Sequence, residues 1–231
     1  RVSSAGDVDD DGHGDLLVGA YMEDSGGISA GATYLVLGPV TGELDLALAN
    51  AKLVGETGYD YSGRSVSSAG DVDADGFDDL LVGADKENSG GSWAGAAYLV
   101  LGPVSGEMEL SLADAKLVVE TAYAYAGYSV SSAGDVDADG FDDLLVGAYG
   151  EGSSGAAYLV LGPVSGEVSL SLADAKLIGE TDDDWAGHSV SSAGDVDADG
   201  FEDLLVGTHY ESSGGSDAGA AYLVLGPVSG E

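Results

Sequence analysis

The chain contains no cysteine, which excludes a disulfide framework, thiolate catalysis and any zinc site built on sulfur. Positive charge is nearly as scarce. Six Lys and Arg stand against 42 Asp and Glu, for a formal net charge of -36. Phosphate backbones and anionic headgroups repel such a chain, so no nucleic-acid partner is expected. No window of about eighteen apolar residues occurs, so no membrane insertion is expected either. Helical periodicity is missing as well; only "LSLADAK" could hold a single helical turn. The chain opens at Arg1 with neither Met nor a signal-like stretch, as expected of a mature, processed or excised piece.

What is present in excess is acid within an otherwise apolar chain. Apolar residues make up 44%, too many for a disordered acidic tail. The acidity therefore needs a physical role. Cation ligation at defined sites is one, and a solvated halophilic surface is another; the two are compatible.

Repetition organises the sequence. The acidic stretch "GDVDADGFDDLLVGA" has four versions, beginning at Asp7, Asp71, Asp135 and Asp195, at spacings of 64, 64 and 60 residues. "AAYLVLGPVSGE" recurs unchanged at 96–107, 156–167 and 220–231. We read one repeat domain over 1–231, with units at about 1–57, 58–121, 122–181 and 182–231.

Each unit reads as four short strands: "SVSSAGDV", "DLLVGA", "AAYLVLG" and "AKLVVE", separated by Gly, Pro, Asn, Asp and Ser turns. "DLLVGA" and "AYLVLG" are continuous apolar runs, which want cover on both faces. Without helices, that cover must be other sheets of the same kind. The expected fold is all-β: a β-propeller of four near-identical four-stranded blades. A β-sandwich is the rival, but near-identical units favour radial or linear repetition. The fourth unit lacks its outer "AKLV" strand. The expectation is a piece of a longer array, a homo-oligomer in which two chains complete one another through the open blade edge, or an edge left open.

The acidic loops follow D-x-D-x-D-G-x-x-D. Their candidate metal ligands are Asp7, Asp9, Asp11, His13 and Asp15; Asp71, Asp73, Asp75, Phe77 and Asp79; Asp135, Asp137, Asp139, Phe141 and Asp143; and Asp195, Asp197, Asp199, Phe201 and Asp203. Alternate carboxylates converge if the chain curls, and the glycine at position 6 permits the bend. The residue at position 7 would contribute its backbone carbonyl, and the aspartate at position 9 would close the shell. Six or seven hard oxygens in a flexible loop suit calcium, about one per repeat, with magnesium second. Position 12 is Val rather than Glu and strands flank the loop, so it is not an EF-hand.

The loop, the "VGA" after it and the "Y-[SA]-G-x-S-V" before it resemble the FG-GAP repeats of integrin α-subunit β-propellers and their bacterial relatives. The FG element stands as Tyr61-Ser62-Gly63, Tyr125-Ala126-Gly127 and Trp185-Ala186-Gly187. The GAP element stands as Gly19-Ala20-Tyr21, Gly83-Ala84-Asp85, Gly147-Ala148-Tyr149 and Gly207-Thr208-His209, with proline replaced throughout. The resemblance implies a propeller with calcium in a hairpin loop of each blade, and a role in adhesion or ligand recognition. Integrin propellers have seven blades; this chain carries four units.

Catalysis finds little support. "GYSVS" and "GHSVS" approach a nucleophile elbow but carry Ser131 and Ser191 where its second glycine belongs. His13, His188 and His209 sit in three different sequence contexts and read as surface or loop histidines. Aromatic residues vary among the loops after "VGA", which suits recognition of protein or sugar. Tyr61, Tyr125 and Trp185 share one position and read as packing between blades. Glu23, Glu87, Glu151 and Glu211 recur and read as turn-capping groups. The expected function is a calcium-binding, non-enzymatic adhesion or ligand-binding module, extracellular or on a cell surface, whose protein or glycan ligand the sequence does not name. The alternatives are a self-assembling structural repeat and a carbohydrate-binding or lyase-associated propeller.

Overall fold

The computed structural model describes residues 1–228. Residues 229–231, the end of the fourth unit and of its "LGPVSGE", lie outside the described residues. Seventeen strands and three short 3-10 turns make up the regular structure of those residues. The first unit supplies β1 (Val2–Gly6), β2 (Asp15–Ala20), β3 (Ala32–Val36) and β4 (Ala51–Val54). The second supplies β5 (Ser65–Gly70), β6 (Asp79–Ala84), β7 (Ala96–Val100), β8 (Gly106–Glu109) and β9 (Ala115–Val118). The third supplies β10 (Ser129–Gly134), β11 (Asp143–Ala148), β12 (Ala156–Val160), β13 (Gly166–Ser169) and β14 (Ala175–Ile178). The fourth supplies β15 (Ala186–Gly194), β16 (Asp203–Thr208) and β17 (Ala220–Val224). "LSLADAK" does hold one turn, at Leu110–Leu112 and Leu170–Leu172.

The protein is a β-propeller, each unit forming a blade whose strands run antiparallel from the inside outward. The inner strands β1, β5, β10 and β15 adjoin in succession. Packing explains the continuous apolar runs. Side chains alternate between the two faces of a strand. In β6, Leu80, Val82 and Ala84 therefore pack with Leu17, Leu35 and Leu53 of the first blade, while Leu81 packs with Leu144 and Val146 of the third. β11 repeats the arrangement one blade on, with Leu145 facing Leu204 and Val206. Every residue of β6, β7, β11 and β12 is buried.

The end blades differ although their sequence hardly does. β2 and β17 alternate between covered and uncovered residues, because each end blade has a neighbour on one face only among the described residues. Leu16 is 38% exposed and Leu223 46%. At about 1.5–3 kcal/mol for each fully buried leucine, the end blades forgo part of what the interior blades gain.

The strands expected of each blade are present, and two blades gain a further one. The sheets carry five, five, four and three strands. The three-stranded fourth sheet matches the missing "AKLV", but the fifth strands were not expected. After the Gly-Pro turn of the second unit, β8 lies parallel against β4 of the first blade, with Ala51 opposite Gly106. β13 lies likewise against β9. Each interior unit thus covers the outer edge of the blade before it, an edge that would otherwise offer unpaired backbone groups. The matching residues of the first unit, 42–45, form no strand. Their pattern is similar, but the described residues hold no earlier blade to pair with; tertiary context decides.

The blades are also pinned at their loop ends. Gly70 has a φ of +78° and pairs with Asp79 at a register shift in the β5–β6 hairpin. A side chain there would run into the carboxylate and β-carbon of Asp142 from the next blade. Gly194, in the same position of the last blade, has a φ of +71° but open space, the nearest atom lying 3.9 Å from a built β-carbon. Gly70→Ala is therefore expected to destabilise the chain by about 1–3 kcal/mol more than Gly194→Ala, since both carry the backbone strain and only the first adds the clash. Urea unfolding of the two variants measures the difference, and equal losses would remove the inter-blade contact from the account.

Candidate metal loops

The four acidic loops join β1 to β2, β5 to β6, β10 to β11, and β15 to β16. Each is built on the aspartate at position 9, which is also the first residue of the second strand. Asp15, Asp79, Asp143 and Asp203 are all buried. One oxygen of each accepts the N–H of the residue at position 2: Val8, Val72, Val136 and Val196, all at 2.8 Å. The other accepts the N–H of the glycine in the Gly-Pro turn: Gly38, Gly102, Gly162 and Gly226, again at 2.8 Å. One carboxylate thereby ties loop, strand and turn together.

The aspartate at position 1 curls the loop. Asp71 accepts the N–H of Asp75 at 3.1 Å and that of Gly76 at 3.0 Å; Asp7, Asp135 and Asp195 do the same for their own loops. At position 5, Asp11, Asp75, Asp139 and Asp199 accept the N–H of position 7. These bonds bring positions 1, 3 and 9 together in three loops. Carboxylate oxygens of Asp7, Asp9 and Asp15, of Asp71, Asp73 and Asp79, and of Asp135, Asp137 and Asp143 lie within 4.8 Å of one another. In the fourth loop the converging set is Asp195, Asp197 and Asp199. Asp11, Asp75 and Asp139 thus stand outside the tightest group in their loops, and Asp203 in its own.

His13, Phe77, Phe141 and Phe201 present their N–H to position 5, and their β-carbons lie beneath the glycine of the Gly-Pro turn. The His13 ring leans on Asp11, Nδ1 to Oδ1 at 3.0 Å. Among the described residues, no Lys or Arg forms an ion pair with a loop aspartate.

The electrostatics follow from this crowding. Burial pushes the Asp79 and Asp143 carboxyls up to about 6, against the pull of their two amide hydrogen bonds, and the neighbouring aspartates at positions 3 and 1 add to it. Asp9 and Asp197 are raised by burial and by the same kind of neighbours. Asp9 Oδ1 is buried and accepts no hydrogen bond. The donor set is all hard carboxylate oxygen, one atom of it orphaned, and it fits a hard divalent cation.

The sequence reading missed position 8. Asp78 Oδ2 accepts the N–H of Asp7 in the preceding blade at 2.6 Å, and Asp142 Oδ2 that of Asp71 at 2.8 Å. The main chain follows, with Asp78 N–H donating to the Asp7 carbonyl and Asp142 N–H to that of Asp71. The signal was present: position 8 is acidic in the second, third and fourth loops and is Gly14 in the first.

The strands carry the "VGA" loops to the opposite end of each blade. There the shared aromatics do pack between blades. Tyr125 meets Trp93 at 6.2 Å, Tyr61 meets Tyr21 at 5.8 Å, and Trp185 meets Tyr149 at 5.2 Å. His188 and His209 are in contact, their rings 4.7 Å apart. His188 lies in β15 and His209 directly follows β16, its neighbour in the same sheet, a closeness that different sequence contexts conceal. Burial, His209 and the nearby arginines hold His188 below the usual imidazole range. Among the described residues, no helix is long and apolar enough to cross a membrane.

The raised aspartates fix the pH response of the metal-free chain. Folded values of about 6 against an ordinary 3.8 mean that the folded state keeps protons that the unfolded state has released. Stability from these groups is present at low pH and falls as pH rises through that window. With chelator present, the unfolding temperature is expected to be higher near about pH 5 than near about pH 7. Circular dichroism at fixed ionic strength reads this directly, and an unfolding temperature that climbs with pH would contradict it.

Comparison with known proteins places these loops in a family context. The family model described as FG-GAP repeat matches residues 1–36, 62–100, 126–160 and 186–224, and each match holds one acidic loop. Human integrin alpha-IIb is 34% identical over 176 residues, which cover 73% of this chain and 16% of the integrin. Integrin alpha pat-2 of Caenorhabditis elegans is 32% identical over 197 residues, 76% of this chain and 15% of that protein. Human phosphatidylinositol-glycan-specific phospholipase D is 31% identical over 222 residues, 89% of this chain and 26% of the enzyme. The chain thus spans between 15% and 26% of the length of these relatives.

Proposed function

The chain belongs to the FG-GAP repeat family, and from that premise we propose that it is a calcium-stabilised, non-enzymatic ligand-binding module of the cell surface or extracellular space. The observation that carries the reading is the convergence of three carboxylates within 4.8 Å in each of four loops, with no protein cation paired to them among the described residues. The aspartates at positions 1, 3 and 9 would hold the ion in the first three loops, and Asp195, Asp197 and Asp199 in the fourth, with the remaining loop aspartates completing the shell. A divalent ion there supplies charge neutralisation, relieving the repulsion that the fold imposes. The loop does the rest, its backbone amides holding the carboxylates at positions 1, 5 and 9 in place.

Further support comes from the serines and the relatives. Ser129 Oγ donates to the backbone carbonyl of Gly187 in the next blade at 2.9 Å, and Ser65 Oγ to that of Gly127 at 2.8 Å. Ser129, in the nucleophile position of "GYSVS", is thus tied into blade packing. Two of the relatives are integrin alpha chains, in keeping with an adhesive or ligand-binding role at a cell surface. The phospholipase relative is matched over about a quarter of its length, so its activity is not carried to this chain.

Two measurements test the metal reading. Calcium at millimolar concentration is expected to raise the unfolding temperature well above that in chelator at equal ionic strength, because a ligand that binds only the folded state stabilises it; magnesium should do less. Equal shifts with calcium, magnesium and added sodium chloride would sink the proposal and leave a solvated acidic surface. The variant Asp73→Asn should change sign between conditions. Removing one of three crowded charges is expected to raise the unfolding temperature in chelator by a few degrees and lower it in calcium by about as much.

A further inference from the structure

The candidate metal loops touch one another through residues just outside their carboxylate groups. Asp78 precedes the buried Asp79 of the second loop, yet its side chain serves the first, Oδ2 accepting the Asp7 N–H at 2.6 Å. Its own N–H returns to the Asp7 carbonyl at 3.2 Å, so two hydrogen bonds form a clasp between the blades. Asp142 repeats the clasp one blade on, with the Asp71 N–H at 2.8 Å and the Asp71 carbonyl at 3.1 Å. A close approach accompanies each clasp. A β-carbon built on Gly102, in the turn held by Asp79, would lie 3.2 Å from the Val8 carbonyl oxygen. One built on Gly162 would lie as close to that of Val72.

Both ends of each clasp adjoin the loops' own framework. Asp7 and Asp71 stand at position 1, where their carboxylates curl their loops onto the amides of positions 5 and 6. Asp78 and Asp142 are chain neighbours of Asp79 and Asp143, each of which is fixed by two amides. The junction between the third and fourth loops, both described in full, lacks the clasp. Glu202 stands in the place of Asp78 and is one methylene longer. Its stem lies over Gly134, and its carboxylate turns to the Ser192 hydroxyl at 3.4 Å. Among the described residues, no hydrogen bond joins Glu202 to Asp135. The close approach is lost as well: the three atoms nearest to a β-carbon on Gly226 belong to Phe201 and Glu202 of its own blade.

We propose, resting on the reading of these loops as divalent-cation sites, that Asp78 and Asp142 are positioning residues that couple cation binding across the first three loops and leave the fourth to bind by itself. Ordering a loop around an ion costs conformational entropy. When Asp71, Asp73 and Asp79 close on an ion, Asp78 is fixed beside Asp79, and Asp71 is fixed at the other end of the loop. Asp78 then offers the Asp7 amide a preset acceptor, and Asp71 offers Asp142 a preset donor. The loops on either side have less left to order, so they bind more tightly. Linkage makes the effect reciprocal, and an ion in the first or third loop favours the second by the same factor. Glu202 makes no clasp, so filling the third loop leaves the fourth as it was.

Each loop carries its own reporter, the position 6 amide that donates to the position 1 carboxylate: Gly12, Gly76, Gly140 and Gly200. The experiment follows these amides by NMR as calcium is titrated into the isotope-labelled full chain at fixed ionic strength. Gly12, Gly76 and Gly140 are expected to move together along a curve steeper than single-site binding, with Gly200 on a separate one. Asp78→Ala should detach Gly12 from the other two and raise its calcium midpoint at least about fivefold. Asp78→Asn keeps an acceptor oxygen and should keep the coupling. Asp73→Asn weakens the second site with both clasps intact; it should raise the Gly12 midpoint too and leave Gly200 in place. Independent single-site curves in the unaltered chain, or a Gly12 midpoint unmoved by Asp78→Ala and Asp73→Asn, would overturn the coupling and leave the metal reading standing. Loop amides that ignore calcium altogether would overturn both.

Discussion

One buried carboxylate in each blade sets the terms for the rest of the loop face. Asp15, Asp79, Asp143 and Asp203 begin the second strand, yet their side chains belong to the loop before it and to the turn after the third strand. Both oxygens must accept, since both face backbone N–H groups. Asparagine would point an NH2 at one of those donors, so the geometry demands an acid. At Asp79 and Asp143, burial and the aspartates at positions 3 and 1 disfavour the charged form that the two amide bonds favour. The fold creates this conflict when it closes the hairpin. The cation proposed for these loops would resolve it by neutralising the crowded charge.

The repeat also carries that constraint from blade to blade. Asp78 lies next to Asp79 in the chain, and its carboxylate holds the amide of Asp7, the first ligand candidate of the preceding loop. Asp142 joins the third loop to the second in the same manner. Successive acidic loops are therefore mechanically connected through adjacent residues, and whatever orders one loop bears on the position of the next. The link weakens at the third junction, where Glu202 replaces aspartate. Its longer side chain packs over Gly134 and reaches toward the Ser192 hydroxyl at 3.4 Å instead.

Much of this was legible in the sequence, and the omissions have physical causes. The apolar runs of "DLLVGA" could be read as two-faced because period-two alternation is absent from them, and β6 and β11 bear that out with neighbours on both sides. The acidic spacing foretold converging carboxylates, but not that position 5 would accept the amide of position 7 in all four loops and join the tightest group only in the fourth. The parallel strands β8 and β13 were invisible because "SGEMEL" and "TGELDL" share one pattern, and only the presence of an earlier blade makes the former a strand. His188 and His209 met for a similar reason: sheet pairing joins residues whose local contexts look unrelated.

The six basic residues complete the electrostatic argument. Lys52, Lys116 and Lys176 are committed to glutamates at the end of the blades away from the acidic loops. The Arg64 guanidinium lies over Tyr21 and Tyr128, and the Lys86 ammonium over Tyr61 and Trp93. The Arg1 α-ammonium donates to the Gly19 carbonyl of β2. The chain thus gathers its positive charge at one end and leaves the other end to the aspartates. A merely solvating acidic surface gains from spreading its carboxylates apart, where each can keep its own hydration. These loops do the opposite, spending backbone amides to draw carboxylates together, and that expenditure is what separates a built site from a charged surface.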